Sequence, residues 1–428
     1  FTRMMNSELA ATQVFAHITQ LMGKKSNLYW VVSGLLFAGL LSMGIGIGLA
    51  QQQCEYGDFY VFYISGQRFW EGESLYARSV AGLSFLYSPF AALLHAPLSL
   101  LSLRNASAVF TALNVFALLV LYGFTYFWAQ IRWNMLPLEW GIATLCTSYF
   151  FLINIPLTQN NIFLLLIWVL SIELFLQKRF AVAALLISIA VLVKVYFVFI
   201  VLWMVLRSGW LFRKWMILSL VFCFFLTLIS RGGTLTWMDW NQYQHYVLTA
   251  ASTGNVYIDF RNQSIWAFVF RFVDSISAYT RFDSQEVQYI LRLSIYCSMV
   301  TVMSLGCWII IKLRQQKAMV GLEEPALFLC LAHLFSFYTW NQHLVSILLS
   351  ACVLAPLAYR NKNPYAVVLL VLYVSVWLSI SSISASWQET LYSFGLLTIM
   401  LLGTVIFFLF QLFKRVNPSS LVLNENEP

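Results

Sequence analysis

Apolar runs of about 20 residues recur along this chain from Leu28 to Phe413, and that recurrence leaves few folds open. A run of that length crosses a hydrocarbon core of roughly 30 Å as an α-helix. Within lipid every backbone polar group must be satisfied by the chain itself, so an all-α polytopic membrane bundle is the expected fold. The composition agrees: of 428 residues, 61% are hydrophobic and only 10% charged, against about 25% charged in a soluble domain. No soluble core could hide that much apolar surface.

The formal net charge of +8 comes largely from short clusters between the runs: Lys24-Lys25, Lys178-Arg179, Arg213-Lys214, Lys312 to Lys317, Arg360 to Lys362 and Lys414-Arg415. This is the positive-inside pattern of membrane proteins. It argues against a nucleic-acid partner, because no basic face alternates with stacking aromatics. Seven cysteines stand singly, all but Cys54 inside apolar runs, and read as small buried hydrophobes. No Cys/His spacing marks a metal site, so neither metal nor cofactor is expected. The chain starts at Phe1 without a signal-peptide cleavage pattern, and the first run is expected to stay as an anchor.

Residues 1–27 read as a cytoplasmic segment and 28–50 as the first transmembrane helix. Residues 51–88 are polar and aromatic, expected as an external loop with interfacial helices. Transmembrane helices fill 89–230, a second external loop covers 231–286, further transmembrane helices fill 287–413, and 414–428 is a cytoplasmic tail. The total is about twelve spans. Residues 180–206 can count as one crossing, which leaves Lys178-Arg179 on the wrong side of the membrane. Breaking the run at Lys194 repairs that violation and makes 89–103, with Pro89 and Pro97, re-entrant. Discontinuous helices are tolerated where they line a cavity. Charge counting does not choose between the two.

The first polar stretch reads Gly57-Asp58-Phe59-Tyr60-Val61-Phe62-Tyr63, then Gly72-Glu73-Ser74-Leu75-Tyr76, and enters the next run as Tyr87-Ser88-Pro89. Downstream stand Pro156-Leu157-Thr158-Gln159-Asn160-Asn161, Lys194, Asn262-Gln263-Ser264 followed by Arg271, and Tyr338-Thr339-Trp340-Asn341-Gln342-His343. In order and spacing, over about residues 55–350, these motifs resemble glycosyltransferase family 87, polyprenyl-phosphomannose-dependent α-mannosyltransferase-like enzymes of the GT-C type. Three positions depart from the family pattern: Thr158 stands for the usual Gly, Val195 for a Pro after the lysine, and Gln342 for the first of two His. The resemblance implies a membrane glycosyltransferase that moves a hexose, mannose in the family, from a polyprenyl-phosphate donor to an acceptor hydroxyl with inversion. It needs no nucleotide site, since the lipid phosphate is the leaving group. Implied partners are the lipid-linked donor, a glycolipid or glycan acceptor and the bilayer. The implied setting is a bacterial inner membrane, with the site facing the periplasm or exterior.

Asp58 is the candidate general base. It stands among Tyr56, Phe59, Tyr60 and Phe62, where partial desolvation raises a carboxylate's proton affinity, and a base within reach of a sugar hydroxyl can take its proton. The plain alternative is an interfacial carboxylate facing water. The resemblance adds weight, because a carboxylate after the first span is the GT-C catalytic residue. Lys194 lies in an apolar run, where an uncompensated cation costs about 2.5–3.5 kcal/mol. It is either a ligand for the donor phosphate or a snorkelling side chain. Arg261 and Arg271 are further phosphate donors or solvated surface charges. His343, beside Trp340 and Asn341, is a second catalytic candidate, whereas His333 inside the preceding helix reads as structural. Tyr63, Gln159, Asn160, Asn262 and Gln263 are expected to bind substrate. Met43 to Gly48 looks like a phosphate loop but suits close helix packing better. The rival readings are a transporter or flippase of lipid-linked or polar substrates and a structural subunit of a membrane complex. Transport would be favoured by paired interrupted repeats, and none is visible.

Overall fold

The computed structural model describes residues 58–76, 84–253, 262–277, 284–336, 339–382 and 395–417, and among these the fold is all-α and polytopic. Helices α1 (Asp58–Glu71) and α2 (Pro89–His95) precede a long α3 (Leu103–Trp133). Next come α4 (Pro137–Asn154), α5 (Asn161–Leu176), α6 (Phe180–Val193), α7 (Val198–Ser208) and α8 (Trp210–Arg231). After these come α9 (Gly233–Thr253), α10 (Ile265–Ser277), α11 (Ser284–Gln315) and α12 (Glu323–Phe335). The fold closes with α13 (Leu348–Tyr359), α14 (Pro364–Ser382) and α15 (Leu396–Val416). Among the described residues, five helices are long and apolar enough to cross a membrane: Leu103–Trp133, Trp210–Arg231, Tyr289–Gln315, Gln342–Tyr359 and Leu396–Val416. The run at 28–50, with Lys24-Lys25, lies outside the described residues.

Among the described residues, every ion pair but Arg231–Asp239 lies at one end of the bundle. Arg132 meets Glu173 at 2.5 Å, joining the last turns of α3 and α5. Arg207 of α7 meets Glu324 of α12 at 2.5 Å, Arg415 of α15 meets Glu323, and Arg360 after α13 meets Glu139 of α4 at 2.5 Å. Lys178-Arg179 in the α5–α6 turn and Arg213-Lys214 in the first turns of α8 fall at this same end, because Phe175 of α5 packs 5.3 Å from Phe212 of α8. Arg314 donates to the Leu206 carbonyl at 3.2 Å, which brings Lys312 to Lys317 there too, so each described Lys/Arg cluster named in the sequence shares one level, as the positive-inside rule requires.

The backbone breaks at Lys194. This residue is extended (φ −138°, ψ 107°) between α6 and a 3-10 turn, Val195–Phe197. Helix α6 runs antiparallel to α5, with the Ser171 hydroxyl donating to the Ala183 carbonyl at 2.8 Å. Helix α7 then runs parallel to α5: Phe197 packs 6.5 Å from Trp168, and Trp203 packs 5.4 Å from Phe175. The chain thus reverses at Lys194 instead of continuing as one crossing, and Lys178-Arg179 stays with the other cations. Helix α2 and the 3-10 turn after it, Ala96–Leu100, form the short 89–103 element that this arrangement calls for. At about 1.5 Å per residue they are far shorter than a roughly 30 Å hydrocarbon core.

Helix α1 lies over α2 through Gly66, where an added Cβ would stand 3.0 Å from the His95 carbonyl oxygen. Phe62 stacks on His95 with ring centres 4.5 Å apart, and the Trp70 indole donates to the Ala96 carbonyl at 2.9 Å. The far end of α1 stops at Gly72 (φ 74°), with the Glu73 N–H returning to the Arg68 carbonyl at 3.1 Å. This is the left-handed helix stop that glycine makes at least cost. Arg231 closes it, donating to the carbonyls of Arg68 (3.0 Å), Phe69 (2.8 Å) and Glu73 while pairing with Asp239 at 2.5 Å. Burial pushes the Asp239 carboxyl up, and Arg231 offsets part of that push. The two polar stretches seen in the sequence therefore meet, also through the Ser74 hydroxyl donating to Gln242 at 3.0 Å.

Candidate active site

The end of the bundle opposite the Lys/Arg clusters is built from interrupted helices. Helices α4 and α6 arrive there and α5 and α7 depart, so the polar residues at their junctions, 154–161 and 194–196, meet inside protein. Irregular backbone at such depth is tolerated only where protein or a cavity surrounds it.

Asp58 opens α1, where the first-turn N–H groups favour an anion. The side-chain amide of Gln159 donates to its Oδ2. Burial raises the proton affinity of Asp58, and the charge of Lys194 and the Gln159 hydrogen bond partly oppose that rise. Tyr87 stands on the other side, its ring 4.9 Å from Phe62 and its carbonyl accepting from the Tyr76 hydroxyl at 2.6 Å. The Tyr87 phenol feels the Asp58 charge, which together with burial keeps it protonated.

Gln159 is aimed by the way α4 ends. The Gln159 N–H returns to the Asn154 carbonyl at 3.2 Å and the Thr158 N–H to the Ile155 carbonyl at 3.1 Å, the paired bonds of a Schellman stop. Such a stop needs a left-handed residue, and Thr158 supplies it at φ 51°. A β-branched residue there carries about 1–2 kcal/mol of strain, whereas glycine carries none at the cost of a more flexible unfolded chain, about 0.4–1 kcal/mol. Thr158→Gly is therefore expected to raise thermal stability by up to about 1 kcal/mol with transfer intact. Thermal unfolding of the purified protein checks this, and a lowered midpoint would contradict the turn.

Asn160 follows with both side-chain amide atoms buried and without a partner, and Gln159 Oε1 is in the same state. Buried polar atoms normally find hydrogen bonds, so this pair keeps hydrogen-bonding capacity that the protein does not use. Lys194 is 6% exposed and donates to Asn161 Oδ1 at 2.6 Å. It is turned into the protein rather than snorkelling. The N-terminus of α5 lies beside it, and a helix N-terminus is itself an anion-favouring environment.

The segments around 262 and 340 pack together, and the second of them reaches the cluster through the Gln342 carbonyl and His343. Asn262 Oδ1 accepts from the Thr339 N–H at 3.0 Å and the Ser264 N–H at 3.2 Å, and the Gln263 N–H donates to the Thr339 carbonyl at 2.7 Å. Asn262 thus stitches two connections together, and Arg271 braces it, donating to its carbonyl at 2.8 Å. His343 accepts from the Trp340 N–H at 3.4 Å, its ring 5.9 Å from Tyr196. His333 bonds the Ser346 hydroxyl and packs 5.1 Å from Tyr196, a buried and hydrogen-bonded histidine as its place inside a helix suggested.

Tyr63, one of the expected substrate ligands, is committed to other contacts. The Tyr63 hydroxyl donates to the Leu101 carbonyl at 2.8 Å, and its ring packs with Phe59, Ala106 and Phe110. Tyr63 is five residues from Asp58 on α1, and at about 100° per residue the two face directions about 140° apart. Arg261 lies outside the described residues. Asn154, Asn161, Tyr87 and Tyr196 join the cluster without having been singled out as site residues. Their signal was faint: uncharged polar groups and aromatics at the ends of apolar runs. Among the described residues, no group of His, Cys, Asp and Glu is placed to hold a metal ion.

The family model described as glycosyltransferase family 87 matches residues 85–336, over half of the chain. It takes in Tyr87, Gln159 to Asn161, Lys194 and Asn262, while Asp58 and His343 lie outside the matched residues. No curated protein matches the chain.

Proposed function

The chain belongs to glycosyltransferase family 87, and from that premise we propose that this membrane glycosyltransferase is of the GT-C type and uses a polyprenyl-phosphate hexose, mannose by preference, as donor. The acceptor is a hydroxyl of a glycolipid or glycan of the cell envelope. The observation that carries the reading is the placing of a carboxylate and a buried ammonium, Asp58 and Lys194, in one polar cluster with Gln159 and Asn160 beside them. Asp58 takes the acceptor O–H proton as the oxygen attacks the anomeric carbon. The bond from that carbon to the phosphate oxygen breaks on the opposite face, which inverts the centre. The departing polyprenyl phosphate keeps the bonding electron pair, and Lys194 with the α5 N-terminus stabilises its charge. Gln159 and Asn160 hold sugar hydroxyls, and His343 faces the cluster through Tyr196. No metal or cofactor takes part in this scheme.

The cation-rich end marks the cytoplasmic side, so the site opens to the periplasmic or outer face of a bacterial inner membrane. Purified protein incubated with radiolabelled polyprenyl-phosphate sugars and a membrane extract should transfer label to an acceptor. Labelled mannosyl donor should serve best, and transfer from nucleotide sugars alone, with no lipid-linked donor present, would contradict the reading.

A further inference from the structure

We propose that Asn161 and Asn154 are positioning residues that aim the Lys194 ammonium at the donor phosphate, through a relay whose direction is set by the Gln342 backbone carbonyl. The inference rests on the reading of Lys194 as a phosphate ligand. A carbonyl can only accept. Asn154 Nδ2 donates to the Gln342 carbonyl at 2.8 Å and to the Phe150 carbonyl at 2.6 Å. That leaves Asn154 Oδ1 for Asn161, whose Nδ2 donates to it at 2.8 Å. Asn161 Oδ1 is then the atom presented to Lys194, which donates to it at 2.6 Å. Turning over either amide would set donor against donor.

The relay is closed to water: Asn154 is 0% exposed and Asn161 2%. Lysine has a flexible four-carbon stem, and a fixed acceptor for one of its three N–H groups limits where the other two can point. Such preorganisation is what makes a donor effective toward developing charge. The relay also starts on the segment that carries His343. Because it uses a backbone oxygen, glutamine in place of the family's histidine at position 342 leaves it intact.

Binding of farnesyl phosphate to the purified protein tests the proposal, with farnesol as the uncharged control. Asn161→Leu should weaken farnesyl phosphate about 10- to 100-fold, the loss of one hydrogen bond to a charged group, and leave farnesol unchanged. Asn154→Leu should show the same pattern more mildly. In a Lys194→Met background, Asn161→Leu should add nothing, because Asn161 acts through the ammonium. A merely structural role would give additive losses and lowered farnesol binding. Asn161→Asp keeps an acceptor for Lys194 but pairs it with a charge and loses the donor to Asn154 Oδ1, so it too should lose farnesyl phosphate; parent-like binding there would overturn the relay. Parent-like binding by Lys194→Met would remove the phosphate reading itself, whereas a loss in Lys194→Met with additive losses would remove only the relay.

Discussion

Asp58→Asn is expected to fold and to lose transfer by about 10²- to 10⁴-fold, the usual worth of a general base. The amide is nearly isosteric and its oxygen can still accept from Gln159, so the geometry at the start of α1 is kept while the proton acceptor is removed. The stability arm of the prediction has a definite sign. Burial raises the Asp58 pKa above its ordinary 3.8, so the folded protein holds this proton more tightly than the unfolded chain does. The stability this group contributes is full below 3.8 and is lost as pH rises through the raised folded value. At neutral pH the ionised carboxylate is therefore a burden, and the asparagine variant should melt at or above the parent's temperature. In the parent, transfer should rise with pH through an acid limb lying above 3.8, as a base that works ionised requires. Substantial activity in Asp58→Asn, or its loss with a collapsed melting point, would take the base role away from Asp58. Glu55, three residues before Asp58 in the same polar stretch, and His343 are the next residues to test.

The fold was legible in the sequence because lipid restricts the choices so severely. Runs of apolar residues gave the helices, and the Lys/Arg clusters gave the level at which they end. The reversal at Lys194 was legible only as one of two alternatives. The local sequence Lys194-Val195-Tyr196-Phe197 holds neither glycine nor proline, so nothing in it announces a helix end. The break is supported from elsewhere, by Asn161 on the ammonium and by the Ser88 hydroxyl, which donates at 2.5 Å to the Leu192 carbonyl in the last turn of α6. Both partners are remote in the chain. In the site, Gln159 and Asn160 were legible as a motif, but Asn262 bonds backbone groups of a segment nearly 80 positions away, a pairing that single-sequence periodicity does not encode. The contrast between Tyr63 and Asp58 is legible in principle, since helical geometry alone points the two in different directions.

Lys194→Met should weaken transfer and polyprenyl phosphate binding by about 10²- to 10³-fold, comparable to removing one fixed donor from a site of developing negative charge. The sequence suggested a cation inside a span, whose removal would ease insertion. Its actual place changes the stability side of that expectation. Lys194 sits at a chain reversal, walled by protein and bonded to Asn161, so methionine removes a buried charge but leaves Asn161 Oδ1 without its donor. An orphaned buried acceptor costs about 1–3 kcal/mol, and relief of ammonium desolvation offsets it, so the net change in folding should be small. Function should separate cleanly from stability in this variant. Asp58 loses a favourable neighbouring charge at the same time, because Lys194, with the Gln159 hydrogen bond, offsets part of the rise that burial causes in its pKa. The acid limb of any residual transfer should therefore move to higher pH in Lys194→Met, a shift that loss of phosphate contact alone would not produce. Parent-like product binding with an unmoved acid limb would mean that the ammonium only fills a polar gap between α5 and α6. A loss of binding with a shifted limb would tie the leaving-group side of the site to its base through one cation.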